Sequence, residues 1–386
     1  MVYLDYNATT PVDSRVIDVM MPLLAEGFGN PSSSHKSGRL AAQVVEESRR
    51  NVAEAVGMGK SDVIFTSGAT EANNLALTGL QKGLGRVINT LTGATEHKSV
   101  LQTCSSLYND GSKFRTIPVH PDGTIDLDSM ESIMDDSNNV DVVSVMAANS
   151  ETGVVHPIKE VARIAHQHDA LFHCDATQAI GKIPFDAYKI GIDMVTLSSH
   201  KIYGPKGCGA LVATRDARRR IAAILHGGGQ ERDMRSGTLN VPAITGFGEA
   251  CRIAITDGLA DASRQRFLRD EFERIISTAI PHTSINGAGS ERIPNTSNVR
   301  LHGVLADAVM VRVQSIEIST GSACSSNIME PSHVLIAMGL DRTAADESIR
   351  VSVGRNTTMT DIESAISEIV RTVESIRTIE SRLRVT

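Results

Sequence analysis

Between residues 13 and 255 short apolar runs alternate with stretches of helical periodicity, and this alternation constrains the fold more than any other feature of the chain. The runs fall at 62–65, 86–89, 140–147, 171–174, 194–197 and 210–213. Each is nearly continuous in apolar residues, as in strands covered on both faces, so the pattern predicts a wound, largely parallel sheet with helices packed over it. A helix precedes the first strand. Its Leu40, Val44, Ser48, Val52 and Val56 recur every four residues, and Gly57 is placed to stop it.

The last third reads differently, with long polar helices, a strand near 297–301 and another near 317–319. A C-terminal helix opens on a capping box formed by Thr360 and Glu363. It continues as an apolar stripe through Ile362, Ile366, Ile369, Val373, Ile376, Ile379 and Leu383. A soft boundary near 255–262 separates the two styles, and no repeat or low-complexity linker marks it. A chain of 386 residues, 41% of them hydrophobic, suffices for one large core plus a smaller appended domain.

Gross charge excludes more than it suggests. A net charge of -7 gives no general attraction to nucleic acid, so direct nucleic-acid binding is not expected, and Arg218, Arg219 and Arg220 read as a solvated helix face. The start carries no basic leader, and no apolar run approaches the roughly 18 residues a membrane span needs, which places the protein in the cytoplasm, off the membrane. Five scattered cysteines (Cys104, Cys174, Cys208, Cys251, Cys324) suit free thiols in a reducing compartment better than a disulfide framework or a zinc ribbon. No metal site is expected either. His166 and His168, two apart on a helix, point to different faces, and no second cluster accompanies His173, Cys174 and Asp175.

Open parallel sheets bind ligands outside the carboxyl ends of their strands, and here those ends are loaded with polar residues. Thr66-Ser67-Gly68-Ala69-Thr70-Glu71, Thr95-Glu96-His97, Asn149-Ser150-Glu151, Asp175-Ala176-Thr177-Gln178 and Ser198-Ser199-His200-Lys201 each follow an apolar run. Gly68-Ala69-Thr70, between a strand and a helix, could bind a phosphate through backbone amides and a hydroxyl, or could simply cap the helix. It lacks the Gly-Lys-Thr/Ser ending of nucleotide-triphosphate loops, so any phosphate belongs to something smaller. Asp175, at a buried strand end, needs a cationic partner, which a protonated pyridine nitrogen would supply. Lys201, desolvated at the next strand end, would lose its proton easily, as a Schiff-base lysine must; a plain Asp175–Lys201 ion pair is the alternative.

These segments are recognisable together. With Leu4-Asp5-Tyr6-Asn7-Ala8-Thr9-Thr10-Pro11, Gly29-Asn30-Pro31-Ser32-Ser33, Ser199-His200-Lys201-Ile202-Tyr203-Gly204-Pro205-Lys206-Gly207, Gly227-Gly228-Gly229-Gln230-Glu231-Arg232 and Arg235-Ser236-Gly237-Thr238, the chain resembles, nearly end to end, the NifS/IscS-like cysteine desulfurases of the class V aminotransferase family. The resemblance implies the pyridoxal-phosphate-dependent transferase fold of type I. A mainly parallel seven-stranded sheet would lie in a large domain over 13–257, beside a smaller α+β domain formed by 1–12 and 258–386. It further implies that the cofactor aldehyde binds Lys201, with Asp175 at the pyridine nitrogen, Gln178 near the ring hydroxyl and His97 stacked on the ring. The phosphate would be held at Ala69, Thr70, Ser198 and His200, with Thr238 reaching over from the other subunit of an obligatory homodimer. Asn149 would lie beside the cofactor and the substrate. Asn7 and Arg350 would hold the substrate, and a guanidinium fork suits a carboxylate because it grips both oxygens.

The segment Ser319-Thr320-Gly321-Ser322-Ala323-Cys324-Ser325-Ser326 decides the expected reaction. Small residues would let Cys324, in the loop at about 318–330, approach the cofactor and then meet a partner, whereas inert burial is expected for the other four cysteines. The implied activity is removal of sulfur from L-cysteine, with Lys201 moving the alpha proton, His97 on the substrate side and Cys324 taking the sulfur. Alanine and a Cys324 persulfide are the products, and a sulfur-acceptor protein takes the sulfur onward.

Two departures qualify the resemblance. Relatives carry Asn-Asn-Glu where this chain has Asn149-Ser150-Glu151, so a shorter hydroxyl replaces an amide. The chain also ends at Arg384-Val385-Thr386 without the extended tail by which housekeeping relatives dock an iron-sulfur scaffold. Acceptors for iron-sulfur assembly, tRNA thiolation or DNA phosphorothioation therefore all stay open. A class V transaminase or lyase acting on small amino acids would share Lys201 and Asp175 but need no mobile thiol, and a non-catalytic scaffold protein would need neither.

Overall fold

The structure, a computed structural model, describes residues 1–136, 139–320 and 330–385, the side chains of 380 and 382–385 excepted. Seven strands form the main sheet: β1 (Val63–Thr66), β2 (Asn89–Gly93), β3 (Lys113–Ile117), β4 (Val142–Ser144), β5 (Leu171–Asp175), β6 (Met194–Ser198) and β7 (Gly209–Ala213). Their order is β1-β7-β6-β5-β4-β2-β3. Only β7 runs against its neighbours β1 and β6, so the wound, mainly parallel sheet is present as expected.

Neighbouring strand residues serve opposite faces. Val63 and Phe65 join Val143, Phe172, Val195, Val212 and Phe247 on one side, while Ile64 joins Leu75, Leu77, Val142, Met194 and Leu211 on the other. Two expectations need correction here. The strand expected at 86–89 begins at Asn89, because buried Thr90 and Thr92 continue the sheet where an apolar run was sought. The strand β3 escapes an apolar search because, as an edge strand, it carries exposed Lys113 and Arg115.

The helix before the sheet, α1, spans Lys36–Ala55. Gly57, at φ +68°, ends it: its amide bonds Glu54 O, and the Met58 amide reaches back to Ala53 O. The four-residue stripe is half right. Val52 and Val56 are buried, but Leu40 is 54% exposed and Ala41 and Val45 take the inward face, since a strict period of four drifts around a 3.6-residue helix. Arg218, expected in solvent, instead bonds the Ser61 carbonyl and reaches Asp62.

A second, antiparallel sheet joins β8 (Thr283–Ile285), β9 (Thr296–Leu301) and β10 (Ser348–Ser352), and Val2–Tyr3 pairs in parallel with Ile316–Glu317. Its core gathers Leu4, Phe272, Val299, Leu301, Ile349, Ile362, Ile366 and Ile369. The C-terminal helix (Met359–Val385) is capped two residues earlier than expected. Thr358 and Asp361 exchange the capping bonds in place of Thr360 and Glu363, and Ile379 is exposed. Residues 255–262 lie within one unbroken helix, Val241–Ala279, whose first half packs on the large sheet's core while Leu268, Phe272 and Ile276 pack into the other.

One ion pair ties the site's surroundings to this frame. Glu231 accepts from Arg49 Nη1 at 2.8 Å, from Arg49 Nη2 at 2.7 Å and from the Phe65 amide at 2.8 Å. The turn it anchors holds Glu231, Arg232 and Asp233 at φ of 49°, 58° and 64°, a conformation that needs outside support in L-residues. Glu231→Ala leaves the buried Arg49 with only the half-exposed Glu46 as a carboxylate partner and should lower stability by about 3 kcal/mol in chemical denaturation. Replacing both partners by leucine should recover part of that loss; a double variant less stable than the single one would show that the pair is not what holds this turn.

Candidate active site

The strands β1, β2, β4, β5 and β6 end at one edge of the sheet, on Thr66, Gly93, Ser144, Asp175 and Ser198. Asp175 is buried, and its oxygens are met only by neutral donors: Asn73 Nδ2 at 3.0 Å and the Thr177 amide at 3.0 Å. Among the described residues no lysine or arginine pairs with it, so the simple Asp175–Lys201 ion pair is not formed. Asn73, from the helix α2 (Ala69–Leu84), also donates to Ser99 Oγ at 2.8 Å. Ser99 Oγ lies 2.8 Å from His97 Nδ1, which also accepts the Ser99 amide at 3.1 Å and so caps the helix Lys98–Asn109. Burial pushes the His97 imidazole below its ordinary range, against the opposing pull of Asp175. With Nδ1 accepting, the neutral ring carries its proton on Nε2.

Lys201 closes the turn after β6. Its Nζ donates to the carbonyls of Asn7 at 2.5 Å and Ala8 at 2.7 Å. Burial, then the Arg350 guanidinium, bring its amine down to about 8, with Asp5 and Asp175 opposing. Arg350 donates Nη2 to Asp5 at 2.6 Å and Nη1 to the Ser150 carbonyl at 3.1 Å, while its buried Nε has no partner among the described residues. Asp5, unremarked in the sequence beyond its motif, thus holds a carboxylate where a substrate carboxylate is expected.

Other residues named from the sequence are already engaged. Asn149 Oδ1 accepts from the amides of Glu151 and Thr152, and its Nδ2 donates to Thr95 O, which shapes the turn after β4. The Asn7 side chain donates to Ser150 O and Thr296 Oγ1. Gln178 Nε2 donates to the Asn7 carbonyl at 3.0 Å, and its Oε1 accepts from Lys182 Nζ. Sequence reasoning missed Asn73, Ser99, Asp5 and Lys182. Asn73 had a signal, a polar residue between Ala72 and Leu75 on a helix that faces the core.

The helix α2 starts at Gly68 without a side-chain cap, so its first amides keep the partial positive charge of a helix N-terminus. A Cβ on Gly209 would stand 2.7 Å from the Gly68 Cα, so only glycine in β7 lets this helix start so close to the sheet. Thr70 is exposed beside it, and Ser198 lies buried at the neighbouring strand end. His200 meets Thr9 Oγ1 at 3.1 Å, and burial brings its imidazole down to about 4, followed by the charges of Lys201 and Lys206. Arg235 pairs with Glu71 at 2.7 Å and so ties the segment carrying exposed Thr238 to α2. A helix N-terminus for a phosphate, a buried carboxylate lacking a cation and an amine lowered to about 8 fit pyridoxal phosphate.

Cys324 and most of its segment lie outside the described residues. The other four cysteines are buried, and desolvation raises their thiols, Cys104 and Cys208 to about 12. Among the described residues no group of three or more His, Cys, Asp or Glu is placed to hold a metal ion, and no helix is long and apolar enough to cross a membrane.

Comparison with known proteins agrees with this geometry. The family model for Aminotransferase class-V matches residues 2–364. A cysteine desulfurase IscS of Anaeromyxobacter sp. (strain Fw109-5) is 42% identical over 97% of this chain and 93% of its own length. Among solved structures, a NifS-like protein is 34% identical with a TM-score of 0.89 over 98% of this chain and 99% of its own. A structure titled "SspA in complex with cysteine" is 34% identical, with a TM-score of 0.81 over 93% and 100%. The chain belongs to the class-V aminotransferase family, pyridoxal-phosphate enzymes of fold type I, and within that family to the cysteine desulfurases.

The Lys201 environment is testable in the cofactor-free protein. The rate at which Lys201 reacts with an added aldehyde should rise with pH through an inflection near about 8. Arg350→Met removes the like charge and frees Asp5, both of which favour the ammonium, so the inflection should move to higher pH. An unmoved inflection in that variant would show that the guanidinium does not tune the amine.

Proposed function

We propose that the protein is a cysteine desulfurase that takes the sulfur of L-cysteine onto Cys324 as a persulfide and releases L-alanine. The observation that carries this reading is that Lys201, an amine brought to about 8, and Asp175, a buried carboxylate bonded only to neutral donors among the described residues, stand at the same edge of the sheet without forming an ion pair. Near-full-length similarity to cysteine desulfurases, and to a structure whose title names bound cysteine, favours this over a transaminase or lyase acting on small amino acids.

Asp175 would hold the ring nitrogen, Gln178 the ring oxygen and His97 a ring face, with Asn149 shaping the adjoining turn. The amides at Ala69 and Thr70, with Ser198, His200 and a partner subunit's Thr238, would hold the phosphate. When bound, the cofactor supplies an electron sink for bonds at the substrate's alpha and beta carbons. Arg350, released from Asp5, would grip the substrate carboxylate beside Asn7, whose carbonyl anchors the amine of Lys201. Lys201 would take the alpha proton, and neutral His97 would exchange protons on the substrate side. The Cys324 thiolate attacks the substrate sulfur: a sulfur–sulfur bond forms, the carbon–sulfur bond breaks, and the electron pair left on carbon is protonated to give alanine.

Large and small domains over 13–257 and over 1–12 with 258–386 agree with the separate cores on the two sheets. A homodimer with shared sites would explain why Thr238 stands exposed on a firmly anchored segment. A sulfur-acceptor protein, in the cytoplasm, would take the sulfur from Cys324.

Alanine formation from cysteine in Cys324→Ser is the test. The variant should keep the visible absorption of bound cofactor and lose alanine and persulfide formation, whereas Lys201→Ala should lose the band and slow turnover by roughly 10²-fold or more. Undiminished alanine production by Cys324→Ser would replace the desulfurase reading with the transaminase or lyase one.

A further inference from the structure

We propose that Lys182 is a positioning residue for the reaction, holding the Gln178 amide from behind so that its Nε2 group faces the site. The proposal rests on the reading of Gln178 as the partner of the cofactor's ring oxygen. Lys182 lies four residues after Gln178, and the turns Ala179 N to Ala176 O, Lys182 N to Ala179 O and Ile183 N to Ala179 O bring the two side chains together. Its Nζ donates to Gln178 Oε1 at 2.5 Å, and no carboxylate among the described residues pairs with it. Burial, then the charges of Lys201 and Arg350, bring its amine down to about 7.

A side-chain amide has one accepting end and one donating end, and an ammonium can only donate. With Lys182 behind it, Gln178 must turn Oε1 toward the lysine and Nε2 away. Nε2 then meets the Asn7 carbonyl at 3.0 Å, the same carbonyl that accepts Lys201 Nζ at 2.5 Å. The two lysines are thereby joined through one amide and one carbonyl. Without Lys182 the buried Oε1 loses its only donor among the described residues, and an unpaired buried oxygen favours departure from this geometry. Lys182 also makes, with Lys201 and Arg350, a group of three cationic side chains, which favours an anionic oxygen on the bound ligand.

The holoenzyme tests this through the pH midpoint at which its visible cofactor band interconverts, read beside kcat and KM. Lys182→Met should raise that midpoint by about one pH unit, because losing a nearby cation and a fixed donor to the ring oxygen both favour the protonated form. It should also lower kcat/KM about tenfold. Gln178→Leu should move the midpoint in the same direction, the double variant should move beyond Gln178→Leu by less than the full Lys182→Met shift, since only the effect of the lost charge is left, and Lys182→Arg should restore most of the wild-type value. Should the methionine variant fail to fold, Lys182→Ala carries the same comparison. A midpoint unmoved by loss of Lys182, or one in which the two substitutions add, overturns the proposal alone. If Gln178→Leu leaves the midpoint in place, the assignment of Gln178 to the ring oxygen falls, and the proposal with it.

Discussion

Asp175 is enclosed at the end of a central strand, and both of its oxygens are met by groups without charge. Taking an ionised carboxylate out of water costs several kcal/mol, and neutral hydrogen bonds offset only part of that. One neighbour makes matters worse. Glu96, wholly buried, is raised well above the ordinary carboxylate range by desolvation first, with Asp175 adding to the shift. A pyridinium nitrogen would offset that cost, and the same carboxylate would keep the nitrogen protonated. The parallel sheet makes the arrangement possible by bringing the ends of five strands, and the start of α2, to one edge.

On the other side of the site the sign is reversed. Lys201, Lys182 and Arg350 crowd together with Asp5 as the carboxylate that is actually paired. The crowding has a chemical consequence, because after burial the Arg350 charge makes the Lys201 ammonium easier to deprotonate, while Asp5 and Asp175 restrain the effect. Asp5 also keeps Arg350 from standing as an unmatched buried charge, yet it leaves Nε without a partner among the described residues. A carboxylate supplied by a ligand can meet that guanidinium without any change in the charge type the site already tolerates.

Much of this was legible in the sequence because strand ends are where periodicity stops and polar residues begin. Asp175, Lys201, His97 and Gln178 stand directly after apolar runs, and the sheet places them as that pattern implies. What escaped did so for physical reasons. The strand β3 is an edge strand whose charged face resembles a loop, and Thr90 and Thr92 continue β2 with hydroxyls inside the core. The cap at Thr358 and Asp361 was passed over for Thr360 and Glu363, since both spacings are equally good on paper and only the backbone chooses. Asn73 acts from a helix, Asp5 from the distant N-terminus and Lys182 through Gln178. Asn73 carried a local signal, a polar residue on the core face of its helix, whereas Asp5 and Lys182 reach the site without one.

The same logic narrows the nucleophile. A thiol attacks as thiolate, and burial in apolar surroundings works against ionisation. Cys104, Cys174, Cys208 and Cys251 are all buried and all raised by desolvation, with the negative charges of Asp175 and Glu96 adding to the effect on Cys174. Cys174 shows how strong the argument is. It adjoins Asp175 in β5, as near to the chemistry along the chain as a residue can be, yet its alternating direction sends the sulfur into the hydrophobic core. Of the five thiols in the chain, four are thus held protonated by the fold itself, which leaves the sulfur-accepting role proposed above to Cys324.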